Sequence, residues 1–268
     1  MNHKIVDSHC HLDFNVFDKD RDEVIRKANE YGVEYMLSIS IDLENFKKIH
    51  EITTKNKNIW CTTGVHPNNV PNNFTSNEIE SLMFTLEKNL KKDKVVGVGE
   101  TGLDYFRSES NKNNQKEFFE THLQVSGKTK SPIIVHTRNA EDDTIEYINK
   151  FVPKYSSKGL IHCFTSTKEL AKCALDNGFY ISFSGIITFK NAKELIDVLN
   201  YVPIDRLLIE TDSPYLSPNP LRGKRNEPKN VRYTMEKIAE IKNLDIENVA
   251  NITTKNFFNL FSNIQDVS

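Results

Sequence analysis

The chain has 268 residues, a length that suits one large barrel or two ordinary domains. Its formal net charge of -2 provides no overall positive field, so any binding of nucleic acid must depend on a local basic patch. With 38% hydrophobic and 27% charged residues, the composition is typical of a globular protein with a sizeable core. No apolar run reaches the roughly 18 residues of a membrane-spanning helix, and we expect no membrane partner.

The cysteines and the first residues indicate where the protein works. The four cysteines, Cys10, Cys61, Cys163 and Cys173, contain no CxxC pair and form no recognisable disulfide framework, which suits a reducing compartment. The start of the chain has one lysine and only a brief apolar run, so it does not read as a signal peptide. We therefore expect a cytoplasmic protein.

Short apolar runs alternate with longer helix-like segments along the whole chain. The runs are rich in Val, Ile, Leu and aromatic residues, as strands buried on both faces should be. The predicted strands are 5–8, 35–41, 60–65, 95–99, 133–136, 160–164, 180–183 and 207–210. The predicted helices are 20–31, 44–55, 76–91, 115–128, 141–151, 167–177, 191–199, 229–242 and 246–261. This alternation predicts an α/β protein with a (β/α)8, TIM-like barrel as a single domain over residues 1–268.

Metal-binding residue types occur at the ends of six of these eight predicted strands. His9 and His11 close the first strand, and side chains at i and i+2 of a strand point to the same side. Since the carboxyl ends of all strands in such a barrel meet at one face, residues at the other strand ends should join them there. These residues are His66, Glu100, His136, His162 and Asp212.

Each of these residues also has an ordinary explanation when it is considered alone. A histidine at a strand end is usually a hydrogen-bonded core residue, and Asp212 before Ser213 and Pro214 could cap a helix. The joint pattern favours a metal site, because gathered buried carboxylates are costly without a cation. Imidazole and carboxylate ligands without thiolate suit Zn²⁺, Mn²⁺ or Mg²⁺. Four histidines and two carboxylates would serve two ions about 3.5–4 Å apart, with Glu100 as the natural bridge.

Eight short motifs follow one another over nearly the whole chain. They are DSHCHLD at 7–13, GVHP at 64–67, GETGLDY at 99–105, PIIVHTR at 132–138, LIHCF at 160–164, FSG at 183–185, ETDSPYL at 210–216 and RGKRNEP at 222–228. In this order they resemble the TatD family of metal-dependent hydrolases, within the wider amidohydrolase-like barrels. The resemblance implies a TIM-like barrel, in agreement with the strand count.

The resemblance also implies roles for individual residues. The family's metal ligands correspond in position to His9, His11, Glu100, His136, His162 and Asp212. It places His9, His11, Glu100 and Asp212 around one divalent ion and Glu100, His136 and His162 around a second. Asp212 and Glu100 are the predicted catalytic residues, and Asp212 would orient or deprotonate the attacking water. We expect His66 and Asp104 to contact substrate rather than metal.

Basic residues in the predicted loops at the same face point to a phosphate-bearing substrate. They are Arg107, Arg138, Lys168, Lys190, Arg222, Lys224 and Arg225. We predict that Arg138, Arg222 and Arg225 bind substrate, because arginine forks match phosphate geometry. A simpler alternative is that the segment from Arg222 to Arg225 braces its own loop. Tyr105, Phe106, Phe189 and Tyr215 lie nearby in the sequence and could stack on bases.

Members of the resembled family are described as deoxyribonucleases, and some are proposed to deacylate D-aminoacyl-tRNA. The leading hypothesis is therefore a monomeric 3′-5′ exodeoxyribonuclease with two divalent ions (Mg²⁺, Mn²⁺ or Zn²⁺), acting on single strands or ends of DNA. The alternative is an ester or amide hydrolase of the same barrel type, such as a D-aminoacyl-tRNA deacylase. A third hypothesis is a barrel that only binds its partner, although the full set of ligand types speaks against it.

Overall fold

A computed structural model describes residues 4–107 and 111–264 of the chain. The predicted domain 1–268 thus extends over residues 1–3, 108–110 and 265–268, which lie outside the described residues. Within the described part, eight strands pair in parallel in the order of the chain. They are β1 (Ile5–Cys10), β2 (Val33–Ser38), β3 (Ile59–Thr63), β4 (Val95–Asp104), β5 (Ile133–Arg138), β6 (Gly159–Ile161), β7 (Tyr180–Phe183) and β8 (Leu207–Ile209).

Backbone contacts between the end of β1 and the segment after β8 close the sheet into a barrel. A parallel bridge pairs Cys10 with Ser213. The amide of His11 donates to the carbonyl of Ser213 at 2.8 Å, and the amide of Asp212 donates to the carbonyl of His9 at 2.9 Å. The predicted (β/α)8 barrel is confirmed, and its seam runs between residues with predicted metal roles.

Helices follow the strands and cover the outside of the barrel. They are α1 (Arg21–Glu30), α2 (Phe46–Thr54), α3 (Ser76–Asn89), α4 (Lys112–Thr129), α5 (Glu141–Tyr155), α6 (Lys168–Asp176), α7 (Lys193–Tyr201), α8 (Val231–Lys242) and α9 (Ile246–Leu260). Each buries one apolar stripe, such as Val24, Ile25 and Ala28 on α1. None of the helices in the described part of the chain combines the length and the hydrophobicity that a membrane span requires.

One end of the barrel is filled by apolar side chains. Residues from all eight strands, including Val6, Ile134 and Leu208, form a buried cluster with Phe257 and Phe261 of α9. The opposite end, where the carboxyl ends of the strands meet, carries the histidines and carboxylates. The apolar cluster therefore leaves that polar end as the open face of the barrel.

Strand β4 differs most from its prediction. The predicted strand stopped at residue 99, whereas β4 continues to Asp104 and includes Glu100. Its register with β5 shifts between Val98 and Thr101, and Gly99 there has a φ of 127°. A glycine in this conformation allows a strand to bulge and then resume pairing. The sequence prediction therefore ended the strand at Gly99, where the chain bulges before its pairing with β5 resumes.

Candidate metal centre

The two histidines at the end of β1 lie side by side. His9 belongs to β1 and His11 follows it directly, and their Nε2 atoms are 3.3 Å apart. Cys10 between them points the other way, with its Sγ 3.5 Å from the carbonyl oxygen of Leu37. Strand alternation thus places both imidazoles on the inner side of the barrel end.

Two carboxylates complete a first cluster around these histidines. Oδ1 of Asp212 lies 3.3 Å from Nε2 of His11 and 3.6 Å from Nε2 of His9. Oε2 of Glu100 lies 3.4 Å from Nε2 of His9. Four ligand atoms, from the carboxyl end of β1, from β4 and from the segment after β8, therefore converge. We call His9, His11, Glu100 and Asp212 site 1.

The other oxygen of Glu100 faces a second cluster. Oε1 lies 2.7 Å from Nε2 of His162 and 2.9 Å from Nδ1 of His136. Those two nitrogens are 3.1 Å apart. We call Glu100, His136 and His162 site 2. The structure thus brings together all six predicted ligands, with Glu100 between the two sites.

Glycines allow Glu100 to take its central position. A Cβ on Gly64 would lie only 2.4 Å from Cα of Gly99, so β3 and β4 approach each other more closely than other residues permit. The amide of Glu100 then donates to the carbonyl of Ser40 at 2.8 Å, which fixes the backbone after the bulge. Side-chain size at Gly64 and Gly99 is therefore tied to the position of the carboxylate.

Asp212 of site 1 and Cys163, which follows His162 of site 2, have left-handed backbone conformations. Their φ angles are 54° and 43°. Residues other than glycine rarely adopt this region, although Asp tolerates it better than most. Such conformations cluster at functional sites, where the surrounding contacts hold them. For Asp212, the surrounding contacts include those of its side chain with His9 and His11.

The second nitrogen of two ligand histidines is held by an acceptor. Nδ1 of His11 donates to the carbonyl of Ile39 at 3.1 Å, so its Nε2 is free to present a lone pair to site 1. Nδ1 of His162 lies 3.3 Å from Oε1 of Glu210, which places its Nε2 toward site 2. Sequence reasoning did not single out Glu210, although this residue opens the ETDSPYL motif and directly follows β8.

The electrostatics of the two sites fit divalent cations. Burial disfavours charge on Glu100 most strongly, but the nearby histidines together outweigh it and hold its pKa well below the usual range. Burial likewise opposes charge on His162, yet Glu100 and Glu210 raise its pKa well above the usual value. The clustered carboxylates thus require positive charge beside them, and divalent cations can supply it in place of protons. Imidazole and carboxylate donors without thiolate suit Zn²⁺, Mn²⁺ or Mg²⁺.

His66 lies next to site 2 in an orientation that favours donation of a hydrogen bond from its Nε2–H. Its Nδ1 accepts a hydrogen bond from the amide of Asn68 at 3.0 Å, and its Nε2 lies 3.5 Å from Oε1 of Glu100. Burial lowers the pKa of His66 to about 3, so its ring is neutral. A neutral ring that accepts at Nδ1 carries its proton at Nε2. His66 therefore presents an N–H toward the site rather than a lone pair.

Asp104 lies on the other side of His136. Its Oδ2 is 3.6 Å from Nε2 of His136 and accepts a hydrogen bond from the side chain of Asn68 at 3.1 Å. Burial opposes the charge of Asp104, but the hydrogen bonds and the charge of His136 outweigh it and lower its pKa to about 2. Asp104 thus stays ionised and supports the ring of His136.

A cavity of about 650 Å³ opens above the two sites. Its lining includes His11, His66, Glu100, Arg107, Arg138 and Tyr215. The guanidinium carbon of Arg138 lies 3.8 Å from the ring centre of Phe106, whose side chain is exposed. Arg138 therefore stands at the rim with an aromatic surface beneath it.

The other two arginines predicted to bind substrate have partners within the protein. Arg222 donates to the carbonyl of Ser217 at 3.1 Å and stacks 3.9 Å from the ring centre of Phe189. Arg225 pairs with Asp20 at 2.6 Å and with Glu227 at 3.1 Å. The pair with Asp20 ties the loop after β8 to the start of α1, whereas Arg222 contacts its own loop at Ser217 and the ring of Phe189 after β7.

Comparisons with known proteins place this geometry in a family. A family model described as "TatD related DNase" matches residues 6–262. The chain belongs to this TatD family. It is 41% identical over 260 residues to the Escherichia coli protein YcfH, described as an uncharacterized metal-dependent hydrolase, covering 96% of this chain and 95% of that protein. It is 37% identical over 257 residues to Bacillus subtilis YabD, with the same description, covering 96% of this chain and 98% of that protein.

Solved TatD structures share the fold. YjjV, a TatD homologue of E. coli, superposes with a TM-score of 0.88 at 25% identity, covering 98% of this chain and 99% of YjjV. A TatD family hydrolase of Entamoeba histolytica superposes with a TM-score of 0.84 at 28% identity, covering 97% of this chain and 99% of that chain. The protein is therefore a metal-dependent hydrolase of the TatD family, with a cluster of His, Glu and Asp residues that can bind metal.

Proposed function

We propose that the protein is a two-ion phosphodiesterase that removes nucleotides from the 3′ end of DNA strands. The observation that carries this proposal is the division of the Glu100 carboxylate. One oxygen faces His9 at 3.4 Å, and the other faces His162 at 2.7 Å and His136 at 2.9 Å. A carboxylate shared in this way suits a pair of divalent ions about 3.5–4 Å apart.

Bound divalent ions would supply Lewis acidity that activates water and neutralises charge on phosphoryl oxygens. Asp212 then orients the attacking water and accepts its proton, since its Oδ1 borders both His9 and His11. The Nε2–H of His66 donates to a phosphoryl oxygen. Arg138 at the cavity rim binds a neighbouring phosphate. Phe106 beneath it offers a surface on which a base can stack.

The DNA substrate is supported by the name of the matching family model and by the basic, aromatic rim of the cavity. We propose single strands or strand ends as the partner of a monomeric enzyme. The four cysteines are all free thiols, which supports a reducing compartment such as the cytoplasm.

The internal partners of Arg222 and Arg225 favour a second candidate. With these two cations engaged in the loop after β8, fewer charges point toward a phosphate at the cavity. The same sites could then polarise a carbonyl, as in an ester or amide hydrolase such as a D-aminoacyl-tRNA deacylase. Replacing Arg138 with Gln separates the candidates, because it should slow phosphodiester cleavage far more than cleavage of a small uncharged ester.

The direct test uses metal-stripped protein and single-stranded DNA labelled at its 5′ end. Mg²⁺, Mn²⁺ or Zn²⁺ is added back, and products are followed on a gel with Glu100→Ala as the control. We expect a ladder that shortens from the 3′ end and is lost in the control. Absence of cleavage under every ion, in protein that binds metal, would overturn the proposal and make aminoacyl-tRNA the next substrate.

A further inference from the structure

Glu210 is a buried acidic residue that has no role in the chemistry proposed above. It follows β8 directly and is 0% exposed. Its Oε1 lies 3.3 Å from Nδ1 of His162, while its Oε2 has no hydrogen-bond partner among the described residues. A buried polar oxygen without a hydrogen-bond partner is costly, so this atom calls for an explanation.

His9 supplies a matching unpaired atom. Its ring is stacked on that of His162, with centroids 4.0 Å apart and planes 13° from parallel. Nε2 of His9 faces Glu100 and Asp212, but its Nδ1 is buried and has no partner within the described part of the chain. His9, His162 and Glu210 each offer one ligand-type atom, and these three atoms lie within 4.8 Å of one another.

The two histidines belong to different sites. His9 presents Nε2 to site 1, and His162 presents Nε2 to site 2. A neutral histidine that offers Nε2 to a metal carries its proton on Nδ1, and that proton needs an acceptor. Glu210 lies on the Nδ1 side of His162, away from Glu100, so it is placed as an acceptor rather than as a ligand.

We propose that Glu210 is a positioning residue shared by the two sites, whose two oxygens accept the Nδ1–H of His162 and the Nδ1–H of His9 when metal ions hold Nε2 of both rings. One carboxylate thereby sets the tautomer and ring orientation of a ligand in each site. Because Glu210 links the rings of His9 and His162, an ion that orders one ring also orders the other. Occupation of one site thus prepares the second site for its ion. This inference rests on the proposed pair of ions.

A residue that serves both sites should affect the binding of both ions when it is replaced, whereas a residue that serves one site should affect only one ion. Glu210→Leu keeps much of the buried volume but removes both acceptor oxygens. Loss of a carboxylate behind a ligand histidine typically weakens metal binding about 10–100-fold. We expect this weakening at both binding steps, measured by competition of metal-free protein with a chromogenic Zn²⁺ chelator.

Asp104→Asn is the matched control, because Asp104 supports only His136 in site 2. It should weaken one of the two steps and leave the other within about threefold. If Glu210→Leu also weakens only one step, or neither, the shared role is wrong. If the wild-type protein binds a single Zn²⁺, the two-ion proposal itself fails, and this outcome is distinct from the other.

A measurement on the wild-type protein keeps the test open if Glu210→Leu does not fold. In the Zn²⁺-loaded protein, nuclear magnetic resonance can detect the Nδ1–H protons of ligand histidines. Protons shared with a carboxylate should resonate farther downfield than that of His11, whose acceptor is the carbonyl of Ile39. We expect His9 and His162 both to exceed His11. A downfield shift for His162 alone would overturn the proposal.

Discussion

The two ends of the barrel are built from the same eight strands but have opposite chemistry. At the amino end, side chains such as Val6, Ile134 and Leu208 pack with Phe257 and Phe261 of α9. At the carboxyl end, histidines and carboxylates face one another within 2.7–3.6 Å. The first end stabilises the fold by burial, and the second keeps costly polar groups together for function. Changes at the two ends should therefore separate stability from activity.

Glu100→Gln should show the largest effect, and on activity alone. The amide keeps the size of the side chain but removes the charge shared by sites 1 and 2. We expect metal-dependent hydrolysis to fall by at least about 1000-fold, which corresponds to roughly 4 kcal/mol. The circular dichroism spectrum should stay that of the wild type. Retained hydrolysis in Glu100→Gln would contradict the central role of this carboxylate.

Phe257→Ala should have the converse effect at the amino end. The ring of Phe257 is fully buried and lies 4.8 Å from that of Phe261, centre to centre. Its removal should lower the free energy of unfolding by about 3–5 kcal/mol in urea denaturation, with an unchanged kcat for the folded fraction. Asn259→Ala on the exposed side of α9 is the control and should change stability by less than about 0.5 kcal/mol. An equal effect of both variants would argue against the apolar end as a source of stability.

His122 tests how buried polar groups outside the two sites respond to pH. Burial lowers its pKa to about 4, against 6.5 for an unperturbed histidine, and its Nε2 accepts from the amide of Val65 at 3.1 Å. Between pH 6.5 and pH 4, His122 is protonated in the unfolded chain but stays neutral in the folded protein. Stability from this group is therefore present above pH 6.5 and is lost as the pH falls toward 4, by about 3 kcal/mol.

Urea denaturation of metal-free protein at pH 7 and pH 4.5 checks this expectation. Other groups also titrate in that range, so the informative quantity is the difference between wild type and His122→Gln. The glutamine side chain can accept from Val65 but does not titrate. Its stability should fall less between the two pH values, and an identical fall in both proteins would show that His122 does not contribute.

Phe106→Ala at the rim of the carboxyl end should have the smallest effect. If Phe106 stacks on a base, its loss should raise KM for single-stranded DNA about fivefold, near 1 kcal/mol, with kcat unchanged. Phe84 is similarly exposed, at 68% against 59% for Phe106, but lies on α3 away from the cavity. Phe84→Ala is therefore the matched control. Equal KM values for both variants would remove Phe106 from the substrate surface.

The sequence was most informative where local pattern determines structure. Short apolar runs that alternate with helix-like segments predicted the eight strands, and strand-end positions brought His9, His11, His136 and His162 to one face. What they could not predict depends on contacts distant in the chain. Arg225 is held by Asp20, 205 positions earlier, and Glu210 is distinguished from Asp212 only by lying behind the ring of His162. The length of β4 depends on a bulge at Gly99, whose pairing with β5 no local pattern reveals.

A crystal structure of the protein grown with Mn²⁺, with anomalous diffraction used to locate the ions, would show directly whether Glu100 lies between two metal ions. We expect two anomalous peaks about 3.5–4 Å apart, one beside each oxygen of Glu100. The first should contact His9, His11 and Asp212, and the second His136 and His162. A single peak, or two peaks that do not share Glu100, would contradict the bridging role on which the proposed mechanism depends.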